Sequence, residues 1–183
     1  MHSQQPAGYP APSGLYDPRF EHDACGVSFV ANIRGAASRQ IVAMGIGALC
    51  NMEHRGATGA EPDSGDGAGI LTQIPDAFLR DVVAFELPPL GSYAVGTAFL
   101  PQEDDLAAET VERIEEIALD EGLTVLGWRD LPTDASSVGR TARSVMPRFR
   151  QLFVSAAGRS GLELERFAFC LRRRAERESD VYF

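Results

Sequence analysis

The strongest structural signal in the sequence is an amphipathic helix with a strand-like segment on either side. Residues 104–121 carry apolar side chains at helical spacing: Ala107, Val111, Ile114 and Ala118. The flanking segments, residues 92–100 and 124–128, are rich in strand-forming residues. Because strand and helix signals alternate along the chain, the fold has to bury a sheet against helices. We therefore predict a layered fold of mixed α and β structure.

The first part of the chain continues this alternation. Residues 25–33 alternate larger apolar side chains with smaller or polar ones, which predicts a strand. Ser38 is a suitable N-cap for a helix that ends near Gly56. A glycine- and aspartate-rich loop follows, then a predicted short strand at residues 70–75 and a helical turn at residues 76–83.

The last part of the chain predicts one more strand and one more helix. The strand covers residues 151–155, and the helix begins at Ser160, which has capping-box spacing to Glu163. We expect the arginine run Arg172–Arg174 to be a solvated helix end, favoured by the helix dipole. The final three residues, 181–183, are strand formers again, which suggests a sequence cut within a strand.

Composition restricts the classes of partner. The 183 residues are 44% hydrophobic and carry a formal net charge of −9, and all 17 basic residues are arginine. An acidic surface repels phosphate backbones and anionic lipids, so we expect neither nucleic acid nor a membrane as partner. The three cysteines are too scattered for a disulfide framework or a zinc site, and no segment has the pattern of a signal peptide or membrane span. We expect a cytoplasmic protein that binds no metal through this chain.

Cys25 is the residue that most suggests chemistry. It is followed by a glycine at the start of a predicted strand, whereas Cys50 and Cys170 lie in predicted helices and are expected to be structural. A thiol with a pKa near 8.5 needs a base to become a good nucleophile. His54 could supply that base, or cleavage before Cys25 would free an α-amine, of pKa about 8, on the nucleophile's own residue.

Two blocks of sequence resemble a known family. They are LYDPRFEHDACGVSFVA and ALCNMEHRGATGAEPDSGDGAGILTQIP, which together cover most of residues 15–75. They resemble the start of the glutaminase domain of the glutamate synthase large subunit, a class II glutamine amidotransferase of the N-terminal-nucleophile type. Downstream of about residue 84 the resemblance is one of layout more than of motif. The resemblance implies an α+β fold, the αββα four-layer sandwich of these hydrolases, of which this chain holds about the first half.

The resemblance also implies roles for individual residues. Cys25 matches the catalytic cysteine, which becomes the mature N-terminus once a propeptide, here residues 1–24, is removed, so that residues 25–183 form a partial amidotransferase domain. Arg55 and Gly56 match an Arg-Gly pair beside the nucleophile. The residues of the following loop that match a segment supporting the site are Asp63, Asp66 and Gly67.

In this family the chain's substrate would be L-glutamine, and its product ammonia. The resemblance implies that the ammonia reaches further synthase domains of the parent chain, where 2-oxoglutarate is reductively converted to L-glutamate in nitrogen assimilation. FMN and an iron–sulfur cluster belong to those domains and not to this chain. A small reductase subunit is a further partner of some members.

The sequence departs from the family pattern in two places. Ser28 replaces a usual glycine, which crowds the predicted strand slightly. The Asn-Gly pair of the family's oxyanion hole is absent, since the only asparagines are Asn32 and Asn51. Losing one oxyanion donor lowers rates by about 10²–10³, so we expect this chain by itself to be inactive.

Two other interpretations remain open from the residues alone. The first is an unprocessed Cys25–His54 hydrolase of amides or thioesters. The second is a non-catalytic, truncated remnant with a binding role. If the domain is incomplete, uncovered sheet edges and apolar faces predict aggregation or poor expression.

Overall fold

A computed structural model describes residues 13–14, 26–52 and 67–183 of the chain. The chain forms two compact units, residues 1–71 and residues 72–183.

The main element of the first unit is helix α1, Arg39–Asn51. The Ser38 hydroxyl accepts a hydrogen bond from the backbone N–H of Ile41 at 3.4 Å, which confirms the predicted N-cap. The helix is amphipathic in sequence, yet none of its residues is buried. Its last turn closes at Met52, whose N–H bonds the carbonyl of Leu49.

The two strands predicted for the first part of the chain do not form in the described residues. Residues 26–33 are irregular, and Val27, Phe29 and Ile33 are almost fully exposed. Residues 70–75 are irregular as well, with Leu71 fully exposed. A strand needs a neighbour to satisfy its backbone groups, and no described residue pairs with either segment. The alternating pattern was therefore not sufficient to predict strands here.

The second unit holds the other helices and strands found among the described residues. Helix α2, Asp76–Val82, confirms the predicted helical turn. It is followed in chain order by β1 (Ala94–Leu100), α3 (Asp104–Asp120), β2 (Thr124–Asp130), α4 (Arg140–Ser144), β3 (Arg148–Ser155) and α5 (Gly161–Glu178). The strands and the helices α3 and α5 agree with the sequence predictions to within a few residues. The five-residue helix α4 was not predicted.

The three strands form one antiparallel sheet in the order β1-β3-β2. Strand β3 lies between the other two and runs antiparallel to both, so β1 and β2 are parallel to each other. Beyond β1, Tyr182 forms an isolated antiparallel bridge to Phe99. The order is that of a split β-α-β fold, with the bridge on the outer side of β1. The predicted α+β class is confirmed.

Helices α3 and α5 pack together on one face of the sheet and bury the larger core. Ile114 and Ala118 of α3, which belong to the predicted apolar stripe, are fully buried there. They meet Leu164 and Leu171 of α5. Gly122, with a φ of +74°, ends the α3 segment as predicted.

The opposite face of the sheet carries a smaller core. Because side chains alternate along a strand, Phe153 of β3 points away from α3 and α5. It packs with Leu79, Leu87 and Tyr93 from the segment that precedes β1. The ring of Phe85 meets that of Phe153 edge to face, with centroids 5.2 Å apart.

A hydrogen-bonded cluster ties this preceding segment together. The Asp76 carboxylate accepts hydrogen bonds from the buried phenol of Tyr93 at 2.8 Å and from the Arg80 guanidinium at 2.9 Å. Arg80 also donates to the carbonyls of Leu87 and Pro88. The bonds from Arg80 and then Tyr93 lower the pKa of Asp76. Burial, then the bond to Asp76, raises the pKa of Tyr93 to about 12.

The arginine run of α5 is not the end of the helix, contrary to the prediction, although Arg172 and Arg173 are exposed as expected. The helix continues to Glu178, and Arg174 donates to Glu121 just beyond α3 at 2.8 Å and to Glu178 at 2.9 Å. Arg172 and Arg173 pair with Glu176, one turn further on. The carboxylates at i+3 and i+4 favour continuation of the helix through the arginines.

Candidate functional site

Most of the predicted site residues lie outside the described part of the chain. These are Cys25, Arg55, Gly56, Asp63 and Asp66, together with His54. Gly67 is described: it is exposed, and a Cβ placed on it would meet no atom within 4 Å. The residues that border these segments, among them Gly26 and Met52, are described.

The residue after Cys25 lies against the end of helix α1. A Cβ placed on Gly26 would be only 2.8 Å from the sulfur of Met52, closer than real Cβ atoms come. Met52 precedes Arg55 by three residues. The contact therefore joins the chain leaving Cys25 to the chain entering the Arg55-Gly56 pair, and only glycine fits at position 26 without displacing Met52.

The chain that follows the aspartate loop meets the middle of the same helix. A Cβ on Gly45 would lie 3.1 Å from the Cδ1 atom of Ile70, so the small residue lets this segment approach α1 closely. Ile70 follows Gly67 by three residues. Helix α1 thus contacts chain bordering both Cys25 and the aspartate loop.

These contacts bring together the borders of all three parts of the predicted site. A thiol can provide a nucleophile, and a guanidinium can orient a carboxylate or a carbonyl. The close approach of Gly26 and Met52 was not predicted from the sequence. The signal for it was the glycine that directly follows the cysteine.

The described residues offer no competing centre for amide chemistry. Cys50 and Cys170 are in helices, as predicted, but both are exposed and so are not part of a core. All three histidines fall in the undescribed segments, and no group of three or more metal-ligating side chains occurs among the described residues. No helix in the described ranges is long and apolar enough to cross a membrane.

A cleft of the second unit lies at the start of α5, with a volume of about 480 Å³. It is lined mainly by small residues such as Ser155, Ala157 and Ser160. Its one charged group, Arg159, is engaged with Glu163 and the ring of Phe167. The cleft contains neither a nucleophile with a base nor a pair of carboxylates, so it does not rival the Cys25 motif.

Comparison with known proteins agrees with the motif. The family model of the class-II glutamine amidotransferases matches residues 25–182, and its match begins at Cys25. The chain is 40% identical over 170 residues to the glutamate synthase [NADPH] large chain of Bacillus subtilis (strain 168), covering 91% of this chain and 11% of that protein.

Two eukaryotic proteins are equally similar. The glutamate synthase [NADH] of Schizosaccharomyces pombe is 41% identical over 145 residues, covering 78% of this chain and 7% of that protein. The chloroplastic ferredoxin-dependent glutamate synthase of Oryza sativa subsp. japonica is 41% identical over 161 residues, covering 86% of this chain and 10% of that protein. The chain thus spans about a tenth of the length of these relatives. With the family model matched over nearly its whole length, the chain belongs to the class-II glutamine amidotransferases.

Proposed function

We propose that this chain is the glutamine-hydrolysing part of a glutamate synthase, with Cys25 as its nucleophile. The observation that carries the proposal is the family match that begins at Cys25, together with the similarity to glutamate synthases that use three different electron donors. The packing of Gly26 against Met52 supports it, because it borders both Cys25 and the Arg55-Gly56 pair.

The proposed reaction uses one residue as both nucleophile and base. Removal of residues 1–24 frees the α-amine of Cys25, which in its neutral form accepts the thiol proton. The thiolate attacks the side-chain amide carbon of L-glutamine, and the proton passes to the amide nitrogen as its bond to carbon breaks. Ammonia leaves, and water then hydrolyses the γ-glutamyl thioester to glutamate and regenerates the thiol.

The site-supporting residues have subsidiary roles in this scheme. Arg55 would pair with the α-carboxylate of glutamine or orient a backbone carbonyl, as a guanidinium fork does well. Gly56, Asp63, Asp66 and Gly67 would shape the loop that holds the substrate in place. FMN and the iron–sulfur cluster would belong to the remaining synthase domains, as the family resemblance implies.

The whole enzyme would pass the ammonia to 2-oxoglutarate for reductive synthesis of L-glutamate. Its partners are then L-glutamine, the other synthase domains and, in forms that have one, a small reductase subunit. We propose a cytoplasmic location. We further propose that the 183-residue chain alone is inactive, because it contains no Asn-Gly pair to stabilise the oxyanion.

The decisive experiment replaces Cys25 by serine in the full-length parent protein. Glutamine-dependent glutamate formation should fall by at least ~10³-fold, as losses of catalytic nucleophiles do. Formation from added ammonia should persist, because Cys25 is needed only to release ammonia. The matched controls Cys50→Ser and Cys170→Ser change exposed helical cysteines and should leave both activities unchanged. Equal loss of both activities in Cys25→Ser would contradict the proposal.

Two measurements test which group acts as the base, the freed α-amine of Cys25 or the side chain of His54. Mass spectrometry of the active enzyme should find a mature chain that begins at Cys25. His54→Ala should retain most of the glutaminase activity, whereas a Cys25–His54 hydrolase would lose it. An active enzyme that still begins at Met1, together with an inactive His54→Ala variant, would establish the alternative base.

A further inference from the structure

The two edge strands of the three-stranded sheet, β1 and β2, differ in how readily each could pair with a further strand. Strand β2 has a bulge between Val125 and Gly127 and ends in the charged pair Arg129 and Asp130. Bulges and charges are the devices that prevent an edge strand from pairing with another strand. The outer edge of β2 is therefore protected.

The outer edge of β1 has none of these devices. Its sequence, AVGTAFL, contains no charge and no proline, and it pairs with β3 through seven consecutive residues without a bulge. Such an uncharged and regular edge is a template for a further strand.

One end of this edge is already occupied. The N–H of Phe99 donates to the carbonyl of Tyr182 at 2.7 Å, and the N–H of Tyr182 donates to the carbonyl of Phe99 at 3.4 Å. The two rings also meet edge to face, with centroids 5.5 Å apart. This mutual pair fixes both the antiparallel direction and the register of a strand that starts at the end of the described chain.

The residue after Tyr182, Phe183, also lies against strand β1. The ring of Phe183 lies where a side chain on Gly96 would be, since a Cβ there would be 3.1 Å from its Cδ1 atom. The N–H of Phe183 donates to the Glu176 carboxylate at 3.4 Å, and that carboxylate is in turn held by Arg172 and Arg173. The chain leaving α5 is thus directed along β1.

The backbone groups further along this edge have no partner. Because strand residues alternate in direction, Val95 and Thr97 present their N–H and C=O groups to the same side as Phe99. No described residue forms a hydrogen bond with them there. Continuing the register of Tyr182 opposite Phe99 places the second residue after Tyr182 opposite Thr97, and the fourth opposite Val95.

We propose that the polypeptide following Phe183 in the parent protein forms a fourth strand on the free edge of β1, giving the sheet order 4-1-3-2. This inference rests on the proposed function in one respect, namely that the parent is a longer glutamate synthase chain. The interaction surface is the edge from Ala94 to Ala98, and its occupant is supplied by the same chain in antiparallel register.

The test is a disulfide cross-link in the full-length parent protein. Cysteine replaces Thr97 and the second residue after Tyr182, in a background with Cys50→Ser and Cys170→Ser. Directly opposed residues of such a pair have Cα atoms about 5.5 Å apart, within the range a disulfide spans. The matched control moves the second cysteine one residue onward, where its side chain points to the opposite face.

The proposed register should give an intramolecular disulfide for the first pair and at least ~10-fold less for the control, as quantified by peptide mass spectrometry. The amide of Thr97 should also be protected from hydrogen exchange. Equal cross-linking of both pairs, or an unprotected Thr97 amide, would overturn the proposal. A Thr97→Cys variant that forms a disulfide-linked dimer by itself would assign the edge to a second copy and would overturn it too. Glutaminase activity, measured on the same protein, separately tests the proposed function.

Discussion

Gly127 shows how a single residue sets the packing of the smaller core. A Cβ at this position would lie 2.5 Å from the Cε1 atom of Phe85, whose ring packs on Phe153. We expect Gly127→Ala to lower the free energy of unfolding by about 1–3 kcal/mol, because an added methyl in a packed core forces rearrangement. Urea denaturation followed by circular dichroism measures the change.

A double-mutant cycle separates this steric effect from loss of glycine's backbone freedom. In a Phe85→Leu background the ring that the added methyl group would strike is gone, so the same glycine substitution should be less destabilising. A coupling free energy between the two changes of at least about 0.5 kcal/mol is expected for residues in contact. Additive effects would show that the ring does not restrict position 127.

Tyr93 gives the second unit a defined response to alkaline pH. Its folded-state pKa of about 12 lies above the value near 10 of an unfolded chain. The folded state therefore keeps the phenolic proton in a range where the unfolded state has lost it. The stabilisation is complete below pH 10 and is lost as pH rises from 10 to 12. Thermal unfolding across this range should show a falling midpoint.

Two phenylalanine variants test this assignment. Tyr93→Phe removes both the titrating group and its bond to Asp76, so the variant should be less stable at pH 7 but lose less stability between pH 10 and 12. Tyr182→Phe changes a phenol that is 61% exposed and should keep the parent's pH profile. Identical profiles for Tyr93→Phe and the parent would assign the alkaline response to another group.

At the scale of elements, Arg174 links helix α5 to the end of α3 through ion pairs. It donates to Glu121 at 2.8 Å and lies 3.4 Å from Asp120, while its Nε atom bonds Glu178. We expect Arg174→Gln to lower the urea midpoint at low salt. The difference from the parent should shrink near 1 M NaCl, because the Debye length is then only about 3 Å.

The control for this prediction is Arg166→Gln on the same helix. It makes the same change of charge, but Arg166 is exposed and forms no ion pair with a described residue. Its urea midpoint should stay close to that of the parent at both salt concentrations. If both variants shifted equally, the effect would be one of net charge and not of the contact between helices.

Helix α1 was predicted in the first unit, but most of the elements that were predicted have a covering surface within the second unit. Helix α3 was predicted because its apolar stripe has a sheet to cover, and Ile114 and Ala118 are indeed fully buried. Residues 26–33 show an equally regular pattern, but no described strand lies beside them. Periodicity indicates which side chains could be buried and says nothing about whether a covering surface is present.

The end of α5 was mispredicted for a different reason. A run of three arginines suits a helix end that interacts with the dipole, but Glu176 and Glu178 allow the helix to continue through them. The partner of Arg174 in the other helix, Glu121, is 53 residues away in sequence. Such a tertiary ion pair leaves no local pattern from which it could have been predicted.

At the scale of the whole molecule, the sequence predicts a candidate site as a motif but does not predict how its residues are arranged. Cys25, Arg55 and the aspartate loop were identified from residue identity and resemblance. The contacts of α1 with Gly26 and Ile70 depend on small residues that permit close approach. Glycine spacing alone could not indicate which neighbour each glycine admits, because that neighbour is fixed only by the folded chain.

The described residues of the two units differ in how much apolar surface they bury, and this difference predicts which unit is stable by itself. In the first unit α1 buries no residue, and Val27 and Phe29 are more than 90% exposed. In the second unit the sheet has packed cores on both faces. Buried apolar area is the main source of folding free energy, so we expect residues 72–183 to fold cooperatively and the first unit to depend on further chain.

Limited proteolysis of the 183-residue chain with a nonspecific protease tests this expectation. Cleavage should concentrate within residues 26–71, leaving a resistant fragment close to residues 72–183, because cleavage requires local unfolding. Mass spectrometry identifies the fragment, and its thermal unfolding should be a single transition. In the full-length parent the same cleavage sites should become protected, since the exposed side chains of the first unit would then be covered. A resistant fragment from the 183-residue chain that retains residues 26–52 would show instead that the first unit is stable without further chain.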